Sequence, residues 1–333
     1  MRLVCPQCHA ALDETAEAYS CAACTRTYPV VCGIPDFRLY PDPYIGLAED
    51  REKGAKLWEQ AQRLTFEQLL HHYYDITEED PPDLASHWIP HSLAEPAIAR
   101  SVLEAAGLME AGAELLDIGC STGGMVIAAS RHAGRRATGV DVAFRWLVVG
   151  RRRLREAGVD ARLICANAEA LPFADACFDV ITAQDALEHL NDPLRAVAEA
   201  RRVSKPGAPA LWTTNNRYAP LPEPHLHLFG VGYLPRAWQP RYVSLRRGDL
   251  HPYSIRMRSA PELKRLFRAA GYASPVLDPA PLFAPHWGAG LASRVLAAYN
   301  RWRSSRLLSW ALRSIGPRFW ITVRRQSQDA FNG

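Results

Sequence analysis

The sequence predicts an α/β fold, doubly wound around a mostly parallel sheet, with a small cysteine-bearing module in front. Three observations carry this reading. Strand-like and helix-like segments alternate from Glu114 to Thr214, the pattern of a parallel sheet covered on both faces. The 333 residues are 48% hydrophobic and 22% charged, ordinary for a folded chain and long enough for about two domains. Two Cys-x-x-Cys pairs stand close together near the N-terminus.

Composition also excludes some functions. Lys and Arg number 39 against 35 Asp and Glu, a net charge of +4, too small to imply a nucleic-acid binder by itself. No apolar run approaches the roughly 18–20 residues that span a bilayer. The opening Met1-Arg2-Leu3-Val4-Cys5-Pro6 lacks the apolar core of a signal peptide, so a cytoplasmic protein is expected. In that compartment eight cysteines read as thiols or metal ligands rather than disulfides.

Residues 1–40 form the first unit. Cys5-Pro6-Gln7-Cys8 and Cys21-Ala22-Ala23-Cys24 are separated by twelve residues. A two-residue gap lets both thiolates of a pair face one ion, and two such turns complete a tetrahedral sulfur site suited to Zn²⁺. A unit this small needs a metal because burial alone does not hold it. On this reading loss of Cys8 unfolds the ribbon and spares the core. Residues 41–110 are a linker and lead-in helices: Pro41-Asp42-Pro43 is stiff, Glu49 to Asp80 is charged and helix-favouring, Pro81-Pro82 breaks it, and Leu93 to Glu110 has helical spacing.

Residues 111–218 are the core. Glu114 to Ile118 is an apolar strand that turns through Gly119-Cys120-Ser121-Thr122-Gly123-Gly124 into a helix. Glycines there let a ligand approach the backbone at the carboxyl end of a strand. A second strand, Ala137 to Asp141, ends in a carboxylate able to accept two ribose hydroxyls. Further strands are read at Ala161–Ala166, Cys177–Thr182 and Ala208–Thr214, with a helix at Pro193–Val203. Residues 219–256 insert a lid carrying Glu223, His225, His227, His251 and Tyr253. Residues 257–333 close the chain with a helix (Ala260–Ala270), a basic Trp-containing helix and a last strand (Phe319–Val323).

LLDIGCSTGG, GVDV, ANAEALPF, FDVITAQDALEHL and RVSKPGA, in that order, resemble the motifs of the class I, Rossmann-like methyltransferases that use S-adenosylmethionine. The resemblance covers residues 113–215 and implies a seven-stranded sheet. It implies that Asp117, Gly119 and Gly123 hold the methionyl end, that Asp141 holds the ribose, and that Asn167 and Ala168 meet the adenine. Cys120, Val142 and Gln184 border the cofactor on the same basis. Two positions depart from the family: Ser121 replaces a frequent second glycine, and Asn167 replaces an aspartate, keeping an oxygen that can accept from the adenine amino group. The first forty residues are similar to the zinc ribbon fused to, or partnering, several methyltransferases of this class, some of which modify RNA.

The residues after the fourth strand border the transferable methyl. Gln184-Asp185-Ala186-Leu187-Glu188-His189 lacks the Asn-Pro-Pro-Tyr of enzymes that methylate base nitrogens, and resembles the Glu-His ending of small-molecule enzymes, including ubiquinone-pathway O-methyltransferases. His189 is the first candidate general base. His225 and His227 are its rivals, since an extended His225-Leu226-His227 puts both imidazoles on one side. Asp185, Glu188 and His189 form a candidate divalent-cation set. From Pro279 to Gln328 there is no Asp or Glu but eight arginines, interleaved with Trp287, Trp302, Trp310 and Trp320. Such a segment suits an anionic membrane, a phosphorylated substrate, or plain packing on the domain. The expected function is O-methylation of a small molecule, natural product or glycan, including a lipid-linked one. The alternatives are an RNA base methyltransferase and a catalytically weak activator of a partner protein.

Overall fold

The computed structural model describes residues 2–77, 82–132, 134–248, 254–284 and 290–326. A four-stranded antiparallel sheet comes first, with β1 (Asp13–Glu14), β2 (Ala18–Ser20), β3 (Thr27–Val31) and β4 (Ile34–Pro35) in spatial order. Helices α1 (Leu47–Gln60), α2 (Phe66–Asp75) and α3 (Pro82–Ala105) lead into the main domain. That domain comprises β5 (Glu114–Ile118), α4 (Gly124–Ser130), β6 (Arg136–Asp141), α5 (Phe144–Glu156), β7 (Arg162–Cys165), β8 (Val180–Gln184), α6 (Pro193–Val203) and β9 (Pro209–Asn215). After the lid, which contains α7 (Gln239–Arg247), come α8 (Ala260–Ala269), β10 (Val276–Pro279), α9 (Leu291–Arg303), α10 (Arg306–Ile315) and β11 (Arg318–Arg324).

The main sheet has seven strands in the order β10-β11-β9-β8-β5-β6-β7. The five from β9 to β7 run parallel, and β11 lies antiparallel to both its neighbours. The order reverses at β5, so the carboxyl ends of β5 and β8 border the crevice in which open α/β sheets bind ligands. Leu115, Leu116, Ile118, Ile181 and Ala183 are buried, as the apolar runs of a doubly covered parallel sheet require.

Four local differences separate the structure from the sequence reading. Helix α3 begins at Pro82 and runs through Pro90 and Pro96. Burial of Ile89, Ile98, Ala99, Val102 and Leu103 outweighs the usual breaking effect of proline. Strand β8 starts three residues late because the Cys177 and Phe178 amides donate to the Val203 carbonyl and leave the ladder. The basic tail is two helices rather than one, and β10 joins the sheet edge through β11. His251, Tyr253 and Trp287 lie outside the described residues.

The N-terminal sheet is not a bead on a string. Leu3 bridges Phe173, Asp36 bridges Cys165, and the Phe37 amide donates to the Cys165 carbonyl at 2.7 Å. Cys5, Tyr19, Cys21, Tyr28 and Phe37 belong to the same buried cluster as Phe173 and Phe178. The unit thereby covers the free edge of β7. Behind it, Arg38 pairs with Asp36 at 2.8 Å and Asp50 at 2.5 Å, and Arg145 pairs with Asp50 and Asp42 at 2.9 Å. Asp50 on α1 also accepts the Phe144 amide at the start of α5. This buried network ties the chain leaving the first sheet to the lead-in helix and to the helix after β6.

Candidate active site

The glycine turn after β5 is built from backbone geometry. Gly119 and Gly123 have φ of 75° and 79°, a region that glycine enters without strain. A side chain on Gly119 would also strike the Cβ of Ala186, at 2.8 Å, so the turn lies directly against the segment after β8. Ser121 adopts a left-handed φ of 46° and is held there by the Asp141 carboxylate, whose Oδ2 accepts the Ser121 amide at 2.8 Å. The other oxygen accepts the Ala143 amide at 2.8 Å. Asp141 thus braces the turn from the end of β6 and holds the serine in a backbone region that glycine enters more readily.

Asp117 is buried, and its Oδ1 accepts from the Thr182 hydroxyl at 2.8 Å. Burial first, and then Glu95 and Asp141, push its carboxyl up to about 8. Glu95, on α3, was not singled out in the sequence. Its carboxylate packs over Gly124, accepts from Thr122 at 3.2 Å and pairs with Arg153 at 2.6 Å. Only the fold reveals it, because nothing local marks a glutamate in a helix nineteen residues before the strand.

Asn167 is engaged from an unforeseen side. Its Oδ1 accepts the Leu39 amide at 2.8 Å and the Tyr40 amide at 3.4 Å, and its Nδ2 donates to the Tyr40 carbonyl at 3.1 Å. The chain leaving the first sheet therefore lies against the residue assigned to the adenine. The Val142 carbonyl accepts from Arg38 at 3.1 Å, and Cys120 and Ala168 are buried. Gln184 closes β8 opposite Thr213.

Beyond β8 the chain turns through Asp185, at φ 48°, and delivers Glu188 and His189. Glu188 is fully buried and accepts from the Thr214 hydroxyl at 2.7 Å and the Asn215 amide at 2.8 Å. The lid brings His225 down so that its Nε2 stands 3.1 Å from His189 Nε2. On its far side His225 Nδ1 meets Glu223 Oε1 at 2.5 Å, and His189 Nδ1 meets the Tyr44 hydroxyl at 3.0 Å. The result is a continuous chain, Glu223–His225–His189–Tyr44.

Its members differ in proton affinity. Burial, reinforced by His225, pushes His189 down to about 3. Burial also disfavours charge on His225, but Glu223, Glu188 and Asp185 outweigh it and raise His225 above the ordinary histidine range. Glu188 is raised by burial and by Asp185.

The extended segment expected to put His225 and His227 on one side does not form. Residues 224–227 make a tight turn closed by the His227 amide on the Glu223 carbonyl at 2.8 Å, so the segment is not extended, and His227 is exposed. Asp185 likewise leaves the expected cation set, because Arg318 holds its carboxylate at 2.5 Å. His225 takes its place: one ligand-type atom each of Glu188, His189 and His225 lies within 4.8 Å of the others. A recess beside this cluster is lined by Asn215, Asn216, Arg217, Glu223, Tyr233 and Arg318, among others.

At the other end of the chain, the sulfurs of Cys5, Cys8, Cys21 and Cys24 all lie within 4.8 Å of one another. Cys5 and Cys24 are 3.5 Å apart, as are Cys8 and Cys21. That is the spread expected of four thiolates around one ion at about 2.3 Å each.

Residues 116–211 match a family model described as a methyltransferase domain. A ubiquinone biosynthesis O-methyltransferase of Pseudomonas aeruginosa is 34% identical over 182 residues, covering 52% of this chain and 68% of that protein. A protein of the same name from Thiobacillus denitrificans is 33% identical over 213 residues, covering 63% and 82%. Among solved structures, phosphoethanolamine N-methyltransferase 2 of Haemonchus contortus in complex with S-adenosyl-L-methionine overlaps 68% of this chain and 52% of its own, at 17% identity and a TM-score of 0.46.

Proposed function

This chain belongs to the class I S-adenosylmethionine-dependent methyltransferases, and from that premise we propose that it methylates a hydroxyl of a small molecule. When bound, the cofactor supplies an electrophilic methyl on a sulfonium. The protein's tasks are then to hold the nucleophile close and to take its proton. The observation that carries this reading is the Glu223–His225–His189–Tyr44 chain, set against the glycine turn through Gly119 and Ala186.

In this reading a neutral His189 receives the hydroxyl proton at Nδ1, the nitrogen that Tyr44 occupies in the resting site. It passes its Nε2 proton to His225, and Glu223 stabilises the resulting imidazolium. Two histidines of opposite bias suit this relay: His189 rests neutral, and His225, starting neutral, holds the proton more firmly once it has accepted it. The named reaction of the ubiquinone-biosynthesis relatives supports O-methylation. Asp117, Gly119, Cys120 and Gly123 would hold the methionyl end of the cofactor, Asp141 and Val142 the ribose side, and Ala168 and Gln184 the remaining walls. Asn167 would act there through its grip on Leu39 and Tyr40. The four cysteines would hold a structural Zn²⁺.

The test is labelled S-adenosylmethionine with fractionated small-molecule extract, followed by the pH profile of the isolated acceptor's methylation. His189→Ala slows turnover by about 10²–10⁴ with cofactor affinity unchanged. The rising limb of the rate lies above pH 6.5, because His225 must be neutral to accept, and Glu223→Gln moves that limb to lower pH. Label in RNA, or a profile indifferent to both variants, overturns the proposal.

The convergence of Glu188, His189 and His225 favours one second reading, a divalent cation on these three that lowers the acceptor's pKa. Glu223 behind His225 supplies the carboxylate that often orients a ligating histidine. Loss of turnover on chelation, restored by Mg²⁺ while zinc stays bound, selects this reading over the relay.

A further inference from the structure

Helix α9 has no buried residue among those described. Leu291, Val295 and Trp302 are 77%, 61% and 55% exposed. With Ala298 they recur at i, i+4, i+7 and i+11, which is a single stripe along the helix. The helix is fastened from another face: the Tyr299 hydroxyl donates to the Ala280 carbonyl at 2.9 Å, and the Asn300 amide exchanges two bonds with the Leu282 backbone. The stripe thus points away from the domain. Exposed Arg294 and Arg301 run along its flank, and Trp310 on α10 is 75% exposed.

We propose that the α9–α10 hairpin is a docking surface for an anionic lipid bilayer, which takes the Leu291–Val295–Trp302 stripe into its interface and pairs its headgroups with the flanking arginines. Charge selects this occupant. Pro279 to Gln328 carries eight arginines and no acid, so a second copy offering the same face would set arginine against arginine. Nucleic acid would match the charge but leave an aliphatic stripe without use. An apolar stripe bordered by arginine, with tryptophan at its end, is the pattern of helices that lie in a membrane interface.

The hairpin also abuts the catalytic recess. The Asn216 side chain donates to the Ser314 and Gly316 carbonyls at 2.9 Å, and Pro317 and Arg318, which follow α10, line the recess. The proposed docking element is thus joined to the recess through the residues that follow α10. The docking itself does not depend on which acceptor is methylated.

The test uses the full chain and two vesicle types, phosphatidylcholine alone and phosphatidylcholine mixed with phosphatidylglycerol, in a flotation assay. Wild type floats with the anionic vesicles, and the bound fraction falls as salt is raised. Arg294→Glu with Arg301→Glu weakens binding at least twentyfold, since each arginine near an anionic surface contributes roughly fivefold. Leu291→Ser with Trp302→Ser weakens it comparably. Both variants retain cofactor binding, which shows that they fold. Equal flotation with neutral and anionic vesicles, or unchanged flotation of both variants, overturns the proposal. So does a wild-type dimer that the stripe variant converts to monomer without losing flotation, because the stripe's occupant is then a second copy.

Discussion

The first sheet and the last helical hairpin are both short additions to the same parallel domain, and the domain treats them oppositely. Tyr19, Tyr28 and Phe37 of the first are essentially buried and share a cluster with Phe173 and Phe178. The second leaves Leu291, Val295 and Trp302 facing outward. Size does not explain the contrast. The first addition meets the open edge of β7, where backbone bonds and apolar contacts form together. The hairpin instead follows β10, which is itself the terminal strand of the sheet, and is tied by a few side-chain bonds. An appended element becomes part of the core when it can complete the sheet, and stays available when it cannot.

Metal removal is the sharpest way to break this comparison. A structural zinc contributes about 10–16 kcal/mol of apparent binding free energy, and the unit that the four cysteines would clamp shares the domain core. Chelation or Cys8→Ser should give one cooperative unfolding transition at lowered temperature, with cofactor affinity lost alongside. This differs from a ribbon that unfolds alone. Calorimetry with two separate transitions, the second at the parental temperature, would restore that simpler picture.

Arg38→Ala comes next. It removes one of two cations from each of the buried Asp36 and Asp50, leaving Arg51 on the first and Arg145 on the second, so the loss stays at or below the about 3–5 kcal/mol of a fully broken buried pair. Denaturant titration should register that loss, and a change below 1 kcal/mol would mean that the network does not join the two units.

The pocket reached by the first unit has its own signature. With its pKa raised to about 8, Asp117 is largely protonated at pH 7 in the free protein. A carboxyl raised above its unfolded value stabilises less as pH climbs between the two values, so the free protein loses stability from about pH 4 to 8. Bound beside the cationic cofactor, Asp117 should ionise. Calorimetric titration at pH 7 in buffers of different ionisation enthalpy should show proton release, and none at pH 9. Equal heats in all buffers would place Asp117 away from the cationic end of the cofactor.

The smallest effect belongs to the hairpin. Leu291→Ser with Trp302→Ser should move stability by no more than about 0.5 kcal/mol, as for exposed positions without partners in the core. A loss of several kcal/mol would show that the stripe packs on the domain after all.

Local pattern made much of this legible. The strand-glycine-helix turn at Gly119–Gly123 and the carboxylate ending β6 are read from spacing, because neighbouring residues create both features. The same holds for the doubled Cys-x-x-Cys. What escaped depends on distant partners. Asn167 is held by Leu39 and Tyr40, Glu95 reaches Gly124 across a helix, and Asp185 is claimed by Arg318. His189 and His225 each stand out in the sequence, but their meeting, and the separate placement of His227, rest on a turn closed by Glu223.

The pairing of the first sheet with the far end of the domain also has a consequence in time. Leu39 waits for Asn167, 128 residues later. At about 5–20 residues per second, synthesis takes roughly 6–26 s to supply that partner. Through that interval Tyr19, Tyr28 and Phe37 have emerged from the ribosome with no β7 to cover them. The cysteine-bound metal would act first as a holding clamp on a nascent chain and only later as part of a finished fold. Cells starved of zinc should then lose this protein during synthesis more readily than they lose molecules already made.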